Sequence, residues 1–376
     1  MLPSPLPGWI ALNLLTELGP LVQRRALQRF GDPAAVAHRV PLSQLRLVRG
    51  FTGKKLDYVR EARRSLEKRT ERELRRCERL GITPLPCGDE AYPAAFGDLP
   101  DAPVLIYMKG VLPEGVLRVA VVGSRACTAY GRRVATGLAS GLAAREIEVV
   151  SGGARGIDTA AHRGALAEGG RTVAVVGSGL LDPYPAESGA LFDEIAGQGT
   201  VISEFPLDEP PRPFNFLRRN RLISALGAAV VVVEAARRSG SLSTAGHALD
   251  QGREVLAVPG PVSSVRSEGC HRLIQQGAKL VQNIEDILDE LSPMYRSAAG
   301  PGPSASRGPN LSDLTPDEQD VLRMMDPAEP IHLDQLADLA PFGVARLQAA
   351  LFGLELRGAV EQSPGRYYLL RPRTET

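Results

Sequence analysis

The sequence predicts an α/β protein: an extended Rossmann-like parallel sheet as the core, a small helical domain before it and a winged helix after it. Three observations carry this. Between Val116 and about Leu291, short apolar runs alternate with helical segments, as βαβ units do. Almost every run stops at Gly, Ser or Glu. Before this region leucines recur at three- and four-residue spacing; after it come three short helical patterns and a Gly-punctuated hairpin.

The chain has 376 residues, more than one hydrophobic core ordinarily supports, so two or three domains are expected. From Trp9 to Leu80 the pattern is helical, with breaks at Gly19-Pro20 and Gly31-Asp32-Pro33. Residues Met1 to Glu90 hold 17 Lys and Arg against 10 Asp and Glu, much of the excess on Lys54 to Arg79. This reads first as a solvated helix face with neighbours pairing in the manner of Glu61 and Arg64, and second as an auxiliary DNA contact. The sheet strands are expected at Val119–Val122, Glu148–Val150, Thr172–Val176, Thr200–Ile202, Ala229–Val233 and Val255–Val258. Ligands of open α/β sheets bind at the carboxyl ends of the strands, where the glycines of this chain gather. Residues 292–310, rich in Ser, Ala, Gly and Pro, read as a flexible linker. Beyond them, Leu311 to Thr376 holds 6 Lys and Arg against 11 Asp and Glu, which argues against phosphate binding by the winged helix and for a protein contact or a structural role.

The whole chain carries a formal charge of +1, so any signal for a polyanionic partner must be local. Cys77, Cys87, Cys127 and Cys270 lack metal-type spacing and are too few for a disulfide scaffold. With no signal-peptide pattern and no apolar run of membrane-spanning length, a cytoplasmic protein is expected.

Four segments carry possible chemistry. Gly123-Ser124-Arg125 leads from a strand into a helix near Tyr130, exposing backbone N–H groups and a helix dipole to an anion, with Arg125 adding a full charge. Ser151-Gly152-Gly153-Ala154-Arg155-Gly156 repeats the geometry one unit along. Two adjacent cradles could hold successive phosphates of one chain or one pyrophosphate; the spacing is not GxGxxG. His162 reads as a packing residue. Phe214 to Arg221 gathers Phe214, Phe216, Arg218, Arg219, Asn220 and Arg221, cationic forks beside stacking surfaces, as a single nucleic-acid strand needs. The competing reading is a loop salt-bridged to Glu204 or Glu234. Glu234 to Thr244 is again a strand end entering a helix, its hydroxyls mostly structural. No Ser/His/Asp order, metal-ligand cluster or convergent carboxylate pair is evident, which counts against hydrolysis.

Together with Tyr92-Pro93, Tyr184-Pro185, Ser203-Glu204, Val258-Pro-Gly260 and Gly269-Cys-His271, these segments resemble the DNA-processing protein A (DprA/Smf) family over roughly Leu85 to Leu288. The resemblance implies a SAM-like helical domain over residues 1–82 and an extended Rossmann-like DNA-binding domain over 83–291. The linker over 292–310 and a DML1-like winged helix over 311–376 would follow. It implies a homodimer that binds and protects single-stranded DNA and loads the RecA recombinase in natural transformation, with no catalysis, cofactor or metal. Arg125, Arg219 and Arg221 would form the positive pocket, and Ile274, Gln275 and Leu280 would lie at the dimer interface. Family members often carry lysine after the Tyr-Pro pair; Ala186 stands here, leaving Arg218 or Arg155 as replacements. Either Phe214 or Phe216 would meet a base. The alternative reading is a Rossmann-like nucleotide phosphoribohydrolase with Glu234 as its acid; a pure scaffold leaves the arginines without a role.

Overall fold

The computed structural model describes residues 5–291, 314–326, 329–356, 359–363 and 366–370. The expected linker at 292–310 lies outside these residues, as do Gly358 and residues 364–365 of the expected hairpin. The chain forms two compact units, residues 1–300 and 301–376.

The first unit opens with helices α1 (Leu6–Asn13), α2 (Pro20–Phe30), α3 (Leu42–Leu45), α4 (Gly53–Ala62) and α5 (Leu66–Leu80). Strands β1 (Thr83–Pro86) and β2 (Leu105–Gly110) follow, with α6 (Ala94–Gly97) between them. Then come β3 (Arg118–Gly123), α7 (Ala129–Ala143), β4 (Glu148–Ser151), α8 (Ile157–Ala167), β5 (Thr172–Val176), α9 (Gly189–Gln198) and β6 (Thr200–Ser203). The unit closes with α10 (Pro213–Leu226), β7 (Ala229–Val233), α11 (Ser241–Asp250), β8 (Glu254–Ala257), α12 (Glu268–Gln275), β9 (Lys279–Leu280) and α13 (Ile284–Glu290).

The nine strands form one sheet in the order β1-β2-β6-β5-β4-β3-β7-β8-β9. From β6 to β9 all pairings are parallel, for example Val119 opposite Val149 and Ala229. Both faces of this part are covered by helices, which is why its strands are continuous apolar runs rather than alternating ones. All six strands expected from the sequence are present. The additional β1 and β2 are antiparallel and extend the sheet beyond β6, with Tyr107 opposite Ser203. The order reverses between β3 and β7, which makes the carboxyl end of that pair the topological switch point.

The helical layer shares its core with the sheet: Ile10, Leu14, Val59 and Leu66 pack in one cluster with Leu105, Tyr107 and Leu207. Polar contacts fix the β6–α10 connection from this side. Asn13 Nδ2 donates to the Glu204 carbonyl at 3.1 Å, Glu73 accepts from Leu207 N at 2.7 Å, and Arg72 and Arg76 pair with Asp208. Burial raises the Glu73 carboxyl above its ordinary value, although the Leu207 bond pulls the other way. Replacing Glu73 with Ala leaves the Leu207 N–H buried without an acceptor. An expected loss of about 1–3 kcal/mol in urea unfolding follows, whereas Glu73→Gln, which keeps an acceptor, stays close to wild type.

Part of the positive charge between Lys54 and Arg79 is neutralised locally. Arg60 pairs with Asp57, Arg64 with Glu61 and Arg75 with Glu71, as a solvated, paired helix face does.

In the second unit, α14 (Pro316–Met324), α15 (Leu333–Leu339) and α16 (Val344–Leu356) accompany β10 (Ile331–His332), β11 (Val360–Ser363) and β12 (Tyr367–Leu370). The three-stranded sheet has the order β10-β12-β11, the arrangement of a winged helix. Arg346 on α16 is engaged by Asp317 through two hydrogen bonds of 2.8 and 2.5 Å, and the same helix leaves Val344 and Phe352 exposed.

Candidate nucleic-acid interface

At the switch point, Gly123 admits the close approach of β7: a Cβ there would lie 1.8 Å from the Val233 carbonyl oxygen. The next residue on β7's side, Glu234, has a φ of +53°, and this left-handed turn brings its carboxylate over the start of α7. Its Oε2 accepts from Thr128 N at 2.8 Å, its Oε1 from the Thr128 hydroxyl, and its carbonyl from Ser124 N at 2.8 Å. Thr128 in turn caps α7 by accepting from Gly131 N at 3.1 Å. An anion does sit at this helix N-terminus, as the turn predicts, but it is the protein's own carboxylate.

The second turn is arranged in the same way. Gly156, with φ +83°, would place a Cβ 2.3 Å from the Ser124 carbonyl oxygen, so glycine lets the two turns touch. Asp158, buried in the first turn of α8, accepts from Ala154 N at 3.3 Å. Burial raises its carboxyl above the usual range, while the nearby Arg219 pulls it down. Here too an internal carboxylate occupies the cradle. His162 is fully buried, bonded to the Thr172 hydroxyl through Nδ1 at 2.8 Å; burial, aided by Arg219, lowers its pKa to about 3, so it is neutral at pH 7.

The basic cluster at 214–221 lies on helix α10, where the helical period divides its side chains between two environments. Arg219 and Arg221 are not exposed, contrary to their expected place in a positive pocket. Arg219 is 3% exposed, and its guanidinium is spent on the carbonyls of Gly152 and Val175. Burial, reinforced by the charge of Arg125, lowers its pKa to about 10. Arg221 is 4% exposed and holds Glu204 through two bonds of 2.9 Å, with Asp101 Oδ2 2.8 Å from its Nε. Arg218 reaches the same Glu204 at 3.0 Å and lies over the Phe205 ring at 5.0 Å. Asn220 Nδ2 donates to the Gly240 carbonyl at 3.1 Å, tying α10 to the start of α11. Glu204, fully enclosed at the end of β6, requires compensating cations, and α10 supplies Arg218 and Arg221; Arg219 is drawn in separately, by the Gly152 and Val175 carbonyls and the charge of Asp158.

What this edge does expose is a ring-and-cation surface. Arg125 projects from the first turn with its guanidinium carbon 4.9 Å from the Phe216 ring centre, and Tyr184 lies against the same ring at 5.3 Å. Arg125 has no ion pair among the described residues. Phe216 is seated by Gly177, where a Cβ would come within 2.6 Å of the ring. Two residues earlier on α10, Phe214 is 58% exposed, and Leu217 is exposed as well. Arg237 and Arg238, beyond β7, are also exposed. Arg155 is exposed but bonded to Glu187 at 2.5 Å, next to Ala186. Tyr184, Arg237 and Arg238 were visible in the motifs yet not picked out as site residues. At the far edge of the sheet, Ile274 is half-buried against the core, while Gln275 and Leu280 are exposed beside the terminal strand β9.

Planar rings beside a free guanidinium at a sheet edge suit a partner with π-faces and negative charge. A nucleic-acid-binding class of protein is what this fold and surface describe. The chain belongs to the DNA recombination-mediator protein A family, the DprA/Smf family, whose model matches residues 84–292; a DprA winged helix domain matches residues 305–366. It is 39% identical over 381 residues to a DprA-type DNA processing protein of Mycobacterium tuberculosis, covering 97% of this chain and 94% of that one. It is 41% identical over 297 residues to the protein Smf of Escherichia coli, covering 76% and 77%. Among solved structures, DNA processing protein A of Streptococcus pneumoniae superposes with a TM-score of 0.66 at 36% identity, covering 75% of this chain and 96% of that one. DNA processing protein A of Helicobacter pylori, described for its unique single-stranded DNA binding mode, gives 0.51 at 32% identity, covering 56% and 95%. Among the described residues no helix is long and apolar enough to cross a membrane, and no His/Cys/Asp/Glu group could hold a metal.

Proposed function

We propose that this chain binds single-stranded DNA without sequence preference along the carboxyl edge of its sheet, as a recombination mediator that shields the strand and loads RecA. The observation that carries the reading is the stack of exposed Arg125 and Tyr184 on the half-buried ring of Phe216, with exposed Phe214 on the same helix. Every base offers a π-face to such a platform, and every phosphate a charge to Arg125, so recognition is tolerant of sequence. Duplex DNA hides its bases from the same platform. Natural transformation and repair both supply such strands in the cytoplasm. Binding as a homodimer, with the β9 edge and Leu280 near the contact, would place two platforms on one strand.

The hydrolase alternative needs a free acid at the switch point. Glu234 is instead committed to Thr128 and the start of α7, which favours a binding role over a catalytic one.

The test is fluorescence anisotropy with a labelled oligonucleotide, single-stranded and duplex, across a salt series. The single strand is expected to bind at least about tenfold tighter, with log K falling linearly in log salt at about 0.7 per phosphate neutralised. Equal affinity for duplex, or binding indifferent to salt, would overturn the reading.

A further inference from the structure

We infer that the helical layer carries a second DNA-backbone site, a shallow cleft between α2 and the turn at residues 46–50 where Arg25, Arg29 and Arg49 converge. The inference rests on the reading of the partner as single-stranded DNA and extends the path of that strand.

The cleft encloses about 310 Å³ and is lined by Arg25, Gln28, Arg29, Leu47, Val48 and Arg49. On α4 and α5, Arg60, Arg72, Arg75 and Arg76 are paired with acids. Just after α2, Asp32 is taken by Arg39. Arg25 donates only to the Arg49 carbonyl at 3.2 Å, Arg29 lies over Phe30, and none of the three has an ion pair among the described residues. Like charges held together without a counterion repel, and a bound polyanion relieves that repulsion while releasing its own counterions.

The cleft is also built by the fold. Gly50, at φ +105°, has its missing Cβ position 2.7 Å from Val22 Cγ2 on α2, so glycine allows the turn to close onto the helix. Val48 is buried beneath it, while Leu47, 65% exposed, offers apolar surface to a sugar or a base between the cations. Three forked donors around a small apolar wall suit a phosphodiester chain better than a lone ion.

Its position continues the main site. Residues 98–104 lie at the carboxyl edge, because β2 begins where antiparallel β6 ends. Within this loop Asp101 holds Arg221 of α10, and two residues earlier the Leu99 carbonyl accepts from Arg24 of α2 at 2.7 Å. The loop thus ties the helix bearing Phe214 and Phe216 directly to the helix bearing Arg25 and Arg29. A strand leaving the aromatic platform toward the β2 end of the sheet runs toward α2, the helix that carries these arginines.

The experiment compares wild type, Arg29→Ala/Arg49→Ala and Arg125→Ala with oligothymidylates of about 6 and about 30 nucleotides, lengths that fill one site or run past it. The double variant is expected to leave the short oligonucleotide unaffected, to weaken the long one about tenfold and to flatten its salt slope by about 1.4, two phosphates at 0.7 each. Both arginines are exposed, and unchanged thermal unfolding of the variant verifies the fold. Arg125→Ala is expected to weaken both lengths. If Arg125→Ala weakens binding but the double variant leaves both lengths and the slope unchanged, the second site is refuted while the main one stands. If wild type binds neither length, the underlying reading fails instead. Inorganic phosphate added at constant ionic strength is expected not to compete; selective loss of the long-strand advantage in its presence would reassign the cleft to free phosphate and overturn the inference.

Discussion

Arg221→Ala is expected to lower the unfolding free energy by roughly 3–5 kcal/mol, the cost of leaving a buried carboxylate without its main counter-charge. Glu204 is completely enclosed and receives two hydrogen bonds from Arg221 and one from Arg218. Chemical denaturation of the single variants and of Glu204→Gln/Arg221→Met gives the coupling. The pair of neutral residues should recover much of the loss, because the fully buried charges are gone and the partners left over, Arg218 and Asp101, are both partly exposed to solvent. The network also sets an acid limit. Burial alone would raise the Glu204 carboxyl, but Arg221 and then Arg218 outweigh it and hold it below its ordinary value. A depressed carboxylate contributes stability that is present above the unfolded-state value and is lost as pH falls through the folded one. The stability difference between wild type and Glu204→Gln/Arg221→Met should therefore shift against wild type below about pH 4, the ordinary carboxylate range. A difference independent of pH would refute the assignment. A DNA-binding loss in Arg221→Ala without a stability loss would restore this arginine to the surface role that the sequence suggested.

Arg125→Ala is expected to weaken single-strand binding about tenfold to a hundredfold and to reduce the salt slope by about 0.7, with no comparable loss of stability. Its side chain is exposed and rests on Phe216 rather than on a carboxylate, so removal touches binding and little else. Arg125→Lys keeps the charge but loses the planar fork and the stacking, and should fall between. Phe216→Ala should cost about 1–3 kcal/mol in binding, the worth of one stacked base, while leaving the salt slope unchanged. Anisotropy titrations at several salt concentrations separate the two effects. Equal slopes for wild type and Arg125→Ala would remove Arg125 from the phosphate contact.

The parallel strands were legible because burial on both faces leaves continuous apolar runs. Strands β1 and β2 were not, since β1 contains Pro84 and Pro86 and β2 is antiparallel at the margin of the sheet. Phosphate cradles were legible as geometry but not as occupancy. A run such as Gly123-Ser124-Arg125 looks the same whether its anion is a ligand or a carboxylate brought from 111 positions away by β7. The same limit hid the fate of Arg219 and Arg221. Charges normally mark the outer face of a helix, and only the fold shows that Glu204 faces inward and draws Arg221 to it, while the Gly152 and Val175 carbonyls take up Arg219. What could be read from the local pattern was Arg125 and the two phenylalanines, Phe214 and Phe216, as separate candidates; the stack with Tyr184 needed the fold.

The mixed core beneath the helical layer bears on how this chain could be shortened or recombined in evolution. A protein beginning at β1 would lay bare Leu105, Tyr107 and Leu207 as one sticky face and strip the acceptor from Leu207 N. Such a fragment is expected to be more prone to self-association than the full chain, a difference that light scattering would show.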